Sequence, residues 1–125
     1  MSTSQIPPLP GITSGLRLVR DTDCDATPEK NVLGKPGTIF MIVADNPNGA
    51  IEYVKLYDLK DMTMGTDAPD ITIPVAANSK KTVFCPSGVA FETGLCFGCV
   101  SDGGGTAGTT NPASDVAVSI MAQDS

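Results

Sequence analysis

The stretch GLCFGCV, residues 94–100, sets Cys96 and Cys99 at C-x-x-C spacing. That spacing serves dithiol redox chemistry when the pair opens a helix, whose dipole lowers the thiol pKa, and serves zinc when two further ligands stand nearby. Here the surrounding residues predict a strand from about Leu95 to Val100. Side chains alternate faces along a strand, so residues three apart point to opposite sides and do not readily share a metal or a bond. Cys24 and Cys85 supply no second close pair, so a four-thiolate zinc site is not expected. The four thiols read as small apolar core groups. The alternative is disulfides, within a subunit or between subunits, among Cys24, Cys85, Cys96 and Cys99 once the protein leaves a reducing cytosol. Cys24, in a predicted loop, is the expected intermolecular partner.

Two other stretches resemble binding loops in composition only. Gly103-Gly104-Gly105 has the glycines of a phosphate cradle without the helix start, the Lys and the Ser or Thr that complete one. Asp21-Thr22-Asp23-Cys24-Asp25 spaces its carboxylates as a calcium loop begins, but no glycine follows at the sixth place and no glutamate at the twelfth. The first reads as a flexible loop, the second as solvated charges. Histidine is absent, which removes the usual general base and the commonest metal ligand. Nothing places two acids across one cleft. We expect no enzyme, no catalytic residue, no metal and no cofactor.

Length and charge narrow the partners. A chain of 125 residues holds one domain, and a formal charge of -6 makes a surface for phosphate backbones improbable, so nucleic acid is not an expected partner. The longest apolar run, Ile39 to Ala44, is far below the roughly 20 residues of a membrane span. The N-terminus also lacks the basic-then-apolar order of a signal peptide. The expectation is a soluble protein made in the cytoplasm, with no membrane partner.

The elements that would position these residues are short and apolar, separated by turn residues, with no sustained helical period: an all-β pattern. Residues 1–15, rich in Pro and Gly, predict an extended segment that resists helix and sheet, either a disordered tail or an arm over a neighbouring subunit in which Ile6, Leu9 and Ile12 are candidate contacts. A single β domain then spans residues 16–125. Leu16 to Arg20 predicts a first strand, Asp21 to Asn31 a polar loop, and Lys35-Pro36-Gly37 a turn. Thr38 to Ala44 is apolar on both faces, as in a strand covered on both sides. Asp45 to Gly49 predicts a reverse turn and hence a hairpin with Ile51 to Asp58. In that partner strand Tyr53 and Tyr57 share one face, a candidate subunit contact, and Val54 and Leu56 the other. Pro74 marks Ile71 to Val75 as an edge strand. Lys80 to Cys85 and Val89 to Phe91 follow as strands either side of Pro86-Ser87-Gly88. Residues 101–114 predict an exposed mobile loop. A last strand, Asp115 to Met121, puts Val116, Val118 and Ile120 on one face.

Four motifs in this order, YVKLYD (53–58), GTDAPDITIPVAANS (65–79), CPSGVAFETGL (85–95) and DVAVSIM (115–121), resemble those of a small family of tailed-phage virion proteins. In that family a K-L-Y-D-type strand precedes a G-T-D-x-P turn, an I-P-V edge strand, a P-x-G-x-A-F-x-T-G-L segment and a Thr-rich loop before the last strand. The resemblance covers roughly residues 50–121. It implies a jelly-roll-like antiparallel β-sandwich incorporated in the virion, with no catalytic residue to carry over. The cysteines at 85, 96 and 99 depart from the pattern and leave room for disulfides in an assembled shell.

The resulting expectation is a capsid decoration, or cement, protein on the capsid surface, contacting the major capsid protein as a homotrimer. A tail, neck or fibre component that binds a host receptor is the alternative, suggested by residues 101–114 and the Tyr face. A carbohydrate-binding or hydrolytic sandwich comes last. Trp is absent and aromatic residues are 5%, so stacking platforms for sugars are scarce.

Overall fold

A computed structural model describes residues 3–6 by their backbone, and residues 16–103 and 108–124 in full. Among them the chain is all β, with eight strands: β1 (Thr3–Ile6), β2 (Leu16–Cys24), β3 (Gly37–Asn46), β4 (Glu52–Tyr57), β5 (Ile71–Val75), β6 (Ser79–Phe91), β7 (Cys96–Val100) and β8 (Val116–Asp124). Two antiparallel sheets form, one of five strands in the order β1-β2-β8-β3-β6 and one of three in the order β5-β4-β7.

The pairings describe one long rolled hairpin. β4 pairs with β5, β3 with β6 and β2 with β8, so the first half of the chain runs antiparallel to the second half taken in reverse. The missing pair is made by residues 25–32, which line β7. Glu29 and Phe97 exchange backbone hydrogen bonds, Val32 N donates to Leu95 O, and Cys99 N donates to Asp25 O. This winding is that of a jelly roll, and it leaves β7 with no open edge. The β5 edge carries Pro74, as its sequence predicts.

The core lies between the sheets. Val19, Ile42, Ala44, Val118, Ile120 and Ala122 from the larger sheet meet Val54, Leu56, Ile73, Val75, Phe97 and Cys99 from the smaller one, all within one buried cluster. A second cluster, on the far face of the smaller sheet, gathers Tyr57, Met62, Met64, Cys96 and Val100. Gly98 belongs there by geometry: a Cβ on it would come within 2.4 Å of Met64 Cε and 3.1 Å of Asp25 O, so any side chain there would push Met64 aside and crowd the strand backbone.

Several sequence expectations are corrected. Asp45 to Gly49 is not a hairpin turn; it carries the chain from one sheet to the other, since β3 pairs with β6 and β8 while β4 pairs with β5 and β7. Asn46 directs this crossover: its buried Nδ2 donates to the carbonyls of Ala50, Val75 and Ala76, and its Oδ1 accepts from Asn48 N and Nδ2. Asn48 in turn exchanges bonds with the backbone of Ser114. The turn ahead of β3 is made by Asn31 to Gly34, whose Gly34 takes φ 74, and Gly37 is already a buried strand residue. Asp21 to Cys24 belongs to β2, with a bulge at that end, and not to a loop. Residues 79–91 form one bulged strand where two were expected. The arm contains β1, paired with β2. Within 101–114, Ser101 bonds Thr110 O and Glu52, Asn111 Oδ1 accepts from Ala26 N, and Pro112 is buried. Backbone and side-chain bonds tie these described residues down despite their scarce apolar surface; Gly104 and Gly105 lie outside the described residues.

Candidate interaction surface

The structure separates the opening cysteines as the strand period requires. Cys99 faces the inter-sheet core, whereas Cys96 joins the second cluster, where its Sγ donates to Leu59 O at 2.9 Å and accepts from Asn31 N at 3.4 Å. All four cysteines are free thiols in this structure. Cys24 is fully buried at the end of β2, which corrects its assignment as an intermolecular partner: a thiol without exposed surface meets no neighbouring chain. Burial raises the thiol pKa of Cys24 well above the usual range and that of Cys99 to about 12, so neither is a reactive nucleophile in the folded protein. Cys85, on β6, is half-buried.

Tyr57 is also withdrawn from the surface. The loop after β4 covers it, its hydroxyl donates to Met64 Sδ, and burial pushes its pKa up, so it is core and not a subunit contact. Tyr53 shares its face as expected but lies against Gly103, where an added Cβ would sit 2.5 Å from the ring. Leu9 and Ile12 fall outside the described residues, as does the side chain of Ile6.

Several acidic residues hold the backbone in place. Asp58 accepts from the backbone N–H groups of Thr93, Glu92 and Gly94. Its partial burial acts in the opposite sense, but these donors hold its carboxyl below the usual range. Asp70 accepts from Asp58 N, and Asp67 from Thr63 N. Of the run 21–25, Asp21 is buried, with one oxygen accepting from Asp23 N and Oδ2 unpartnered; burial, above all, raises its pKa to about 7. Among the described residues no group of three or more His, Cys, Asp or Glu side chains is placed to hold a metal ion.

What the sequence reading missed is a row across the outer face of the larger sheet. Leu18 on β2 lies opposite Met121 on β8, Met121 opposite Met41 on β3, and Met41 opposite Phe84 on β6. Directly paired positions put their side chains on the same face, so these four form one continuous apolar line over four strands. Leu18, Met121 and Met41 are half-buried and Phe84 is 71% exposed. The next row on that face, Arg20, Ser119, Val43 and Thr82, is mixed, and the one beyond it, Ala117, Asp45 and Lys80, is exposed and largely polar. The face therefore grades from apolar to charged. Phe40, the extra residue where β3 bulges against β8, extends the apolar end towards Gly88.

The signal was present in the run Ile39 to Ala44. Its inward residues Ile39, Ile42 and Ala44 are buried, but Phe40, Met41 and Val43 are only half-buried, so the strand is covered on one face and not on both. Comparison of the chain with family models, with curated proteins and with solved structures finds no match in any of the three.

Proposed function

We propose that this chain is a structural protein of a tailed-phage virion: a capsid decoration, or cement, protein that seats the outer face of its larger sheet on the major capsid protein. The observation that carries this reading is the row Leu18, Met121, Met41 and Phe84, ending on an open strand edge. A large aromatic left 71% exposed at the end of an apolar line is costly in water and favourable at a contact, where full burial of such a side chain is worth about 1.5–3 kcal/mol. The order of the four sequence motifs and the jelly-roll winding support the same reading. A homotrimer would present three such rows at once, so that modest individual contacts combine into slow dissociation. The work is mechanical bridging on the capsid surface, after synthesis in the host cytoplasm.

Purified protein added to capsids that lack it tests the reading. Wild type should bind, and Phe84→Ser should bind about 10- to 100-fold more weakly, a loss matched to the burial of one aromatic anchor. The variant's denaturation midpoint should fall only slightly, because Phe84 is mostly exposed and contributes to the fold chiefly through its cross-strand contact with Met41. Equal binding by the variant would rule out the proposed contact face, and binding of the wild type to tails or host cells in place of capsids would support the tail or fibre role instead.

A further inference from the structure

We propose that Cys24 and Cys99 form a latent disulfide between the two sheets, open as free thiols in this structure and closed by exchange with a small-molecule disulfide. Cys24 ends β2 in the larger sheet and Cys99 lies in β7 of the smaller one. The two chain segments touch through the hydrogen bond from Cys99 N to Asp25 O, 2.8 Å, which places the backbone of residue 99 against the residue that follows Cys24. Both side chains are 0% exposed and belong to the same inter-sheet cluster. Burial raises the Cys24 thiol pKa, and a negative charge on the Cys99 sulfur would raise it further. Cys96 cannot compete: it points to the opposite face and is occupied with Leu59 O and Asn31 N.

The chemistry balances with oxidised glutathione as oxidant. One thiol loses its proton and attacks a glutathione sulfur, releasing one glutathione thiolate. The second thiol then loses its proton and attacks the protein sulfur of the mixed disulfide, releasing the other. Two protein thiols are oxidised and one glutathione disulfide is reduced to two thiols. Because both thiols are buried and held protonated, the first attack waits on a local opening. The bulge between Asp21 and Cys24, beside the unpartnered Asp21 Oδ2, is the weak point of that region. Exchange should therefore be slow in buffer and faster in mild denaturant. The closed bond spans a loop of about 75 residues and joins the layers of the sandwich, which should raise the Tm by about 10 °C.

The test uses the full chain and is independent of any capsid. The folded protein is incubated with oxidised glutathione in buffer and in sub-denaturing urea, and remaining thiols are alkylated under denaturing conditions. It is then cut with trypsin and chymotrypsin. Trypsin isolates residues 21–30 around Cys24, and cleavage after Phe97 separates Cys99 from Cys96 and Cys85. The expected product is the 21–30 peptide linked to the one beginning at Gly98, appearing faster in urea, together with the Tm increase. Cys99→Ala should lose both. Finding Cys24 and Cys99 alkylated or only glutathionylated in both conditions, or Cys24 linked to Cys96, would overturn the proposal.

Discussion

Two buried polar side chains in the sandwich have opposite consequences. Asn46 satisfies three carbonyls and organises Asn48, so Asn46→Ala leaves buried acceptors unpaired and should cost about 2–3 kcal/mol, read as a lower urea midpoint. Asp21 is a liability. Its folded pKa of about 7 stands above its ordinary 3.8, so the folded chain holds a proton there that the unfolded chain has released. Stability from this group is therefore full below about pH 4 and is lost as pH rises through about 7. Asp21→Asn should match wild type near pH 4 and exceed it by about 1–3 kcal/mol at pH 8, measured by urea denaturation at both pH values. Neither role was legible in the sequence. Asn46 sits in a cluster with the composition of a hairpin turn, and Asp21 in a run with the composition of a solvated loop. Local composition reports that a backbone bends or that a residue is charged, not what lies across from it. The strand period did report correctly that Cys96 and Cys99 part company, because facing depends on spacing alone.

Among the elements, those bounded by proline or by alternation were legible: the Pro74 edge strand, the Tyr53 and Tyr57 face, and the closing strand with Val116, Val118 and Ile120 inward. The errors were of pairing. Asp45 to Gly49 satisfies every local rule for a hairpin, yet β3 is drawn to β6 and β8 by partners some forty and eighty residues away, which no local rule contains. β6 was divided at Pro86 because proline and glycine interrupt a ladder; the structure absorbs them as a bulge instead, with Gly88 at φ 80 and Thr38 Cγ2 only 2.4 Å from where its Cβ would be. Gly88→Ala should thus cost about 2 kcal/mol from the left-handed backbone and the clash together. The measured urea midpoint should fall accordingly, while Ser87→Ala, one residue away and exposed, should leave it unchanged.

At the scale of the molecule, a rolled hairpin buries the inner faces of two sheets and covers the outer face of the smaller one with the loop after β4. The outer face of the larger sheet keeps an apolar line that the described residues leave half open. The all-β class followed from the sequence pattern and the sandwich from the motif resemblance; the uncovered face followed from neither, because an apolar strand reads the same whether its second face meets its own chain or another's. The proposed role depends on that face. Cryo-electron microscopy of virions carrying the chain tests it most directly. The account predicts density for the sandwich on the outside of the head with Phe84 and Met41 buried against the major capsid protein. Density confined to the tail, or on the head with Phe84 turned to solvent, would contradict it.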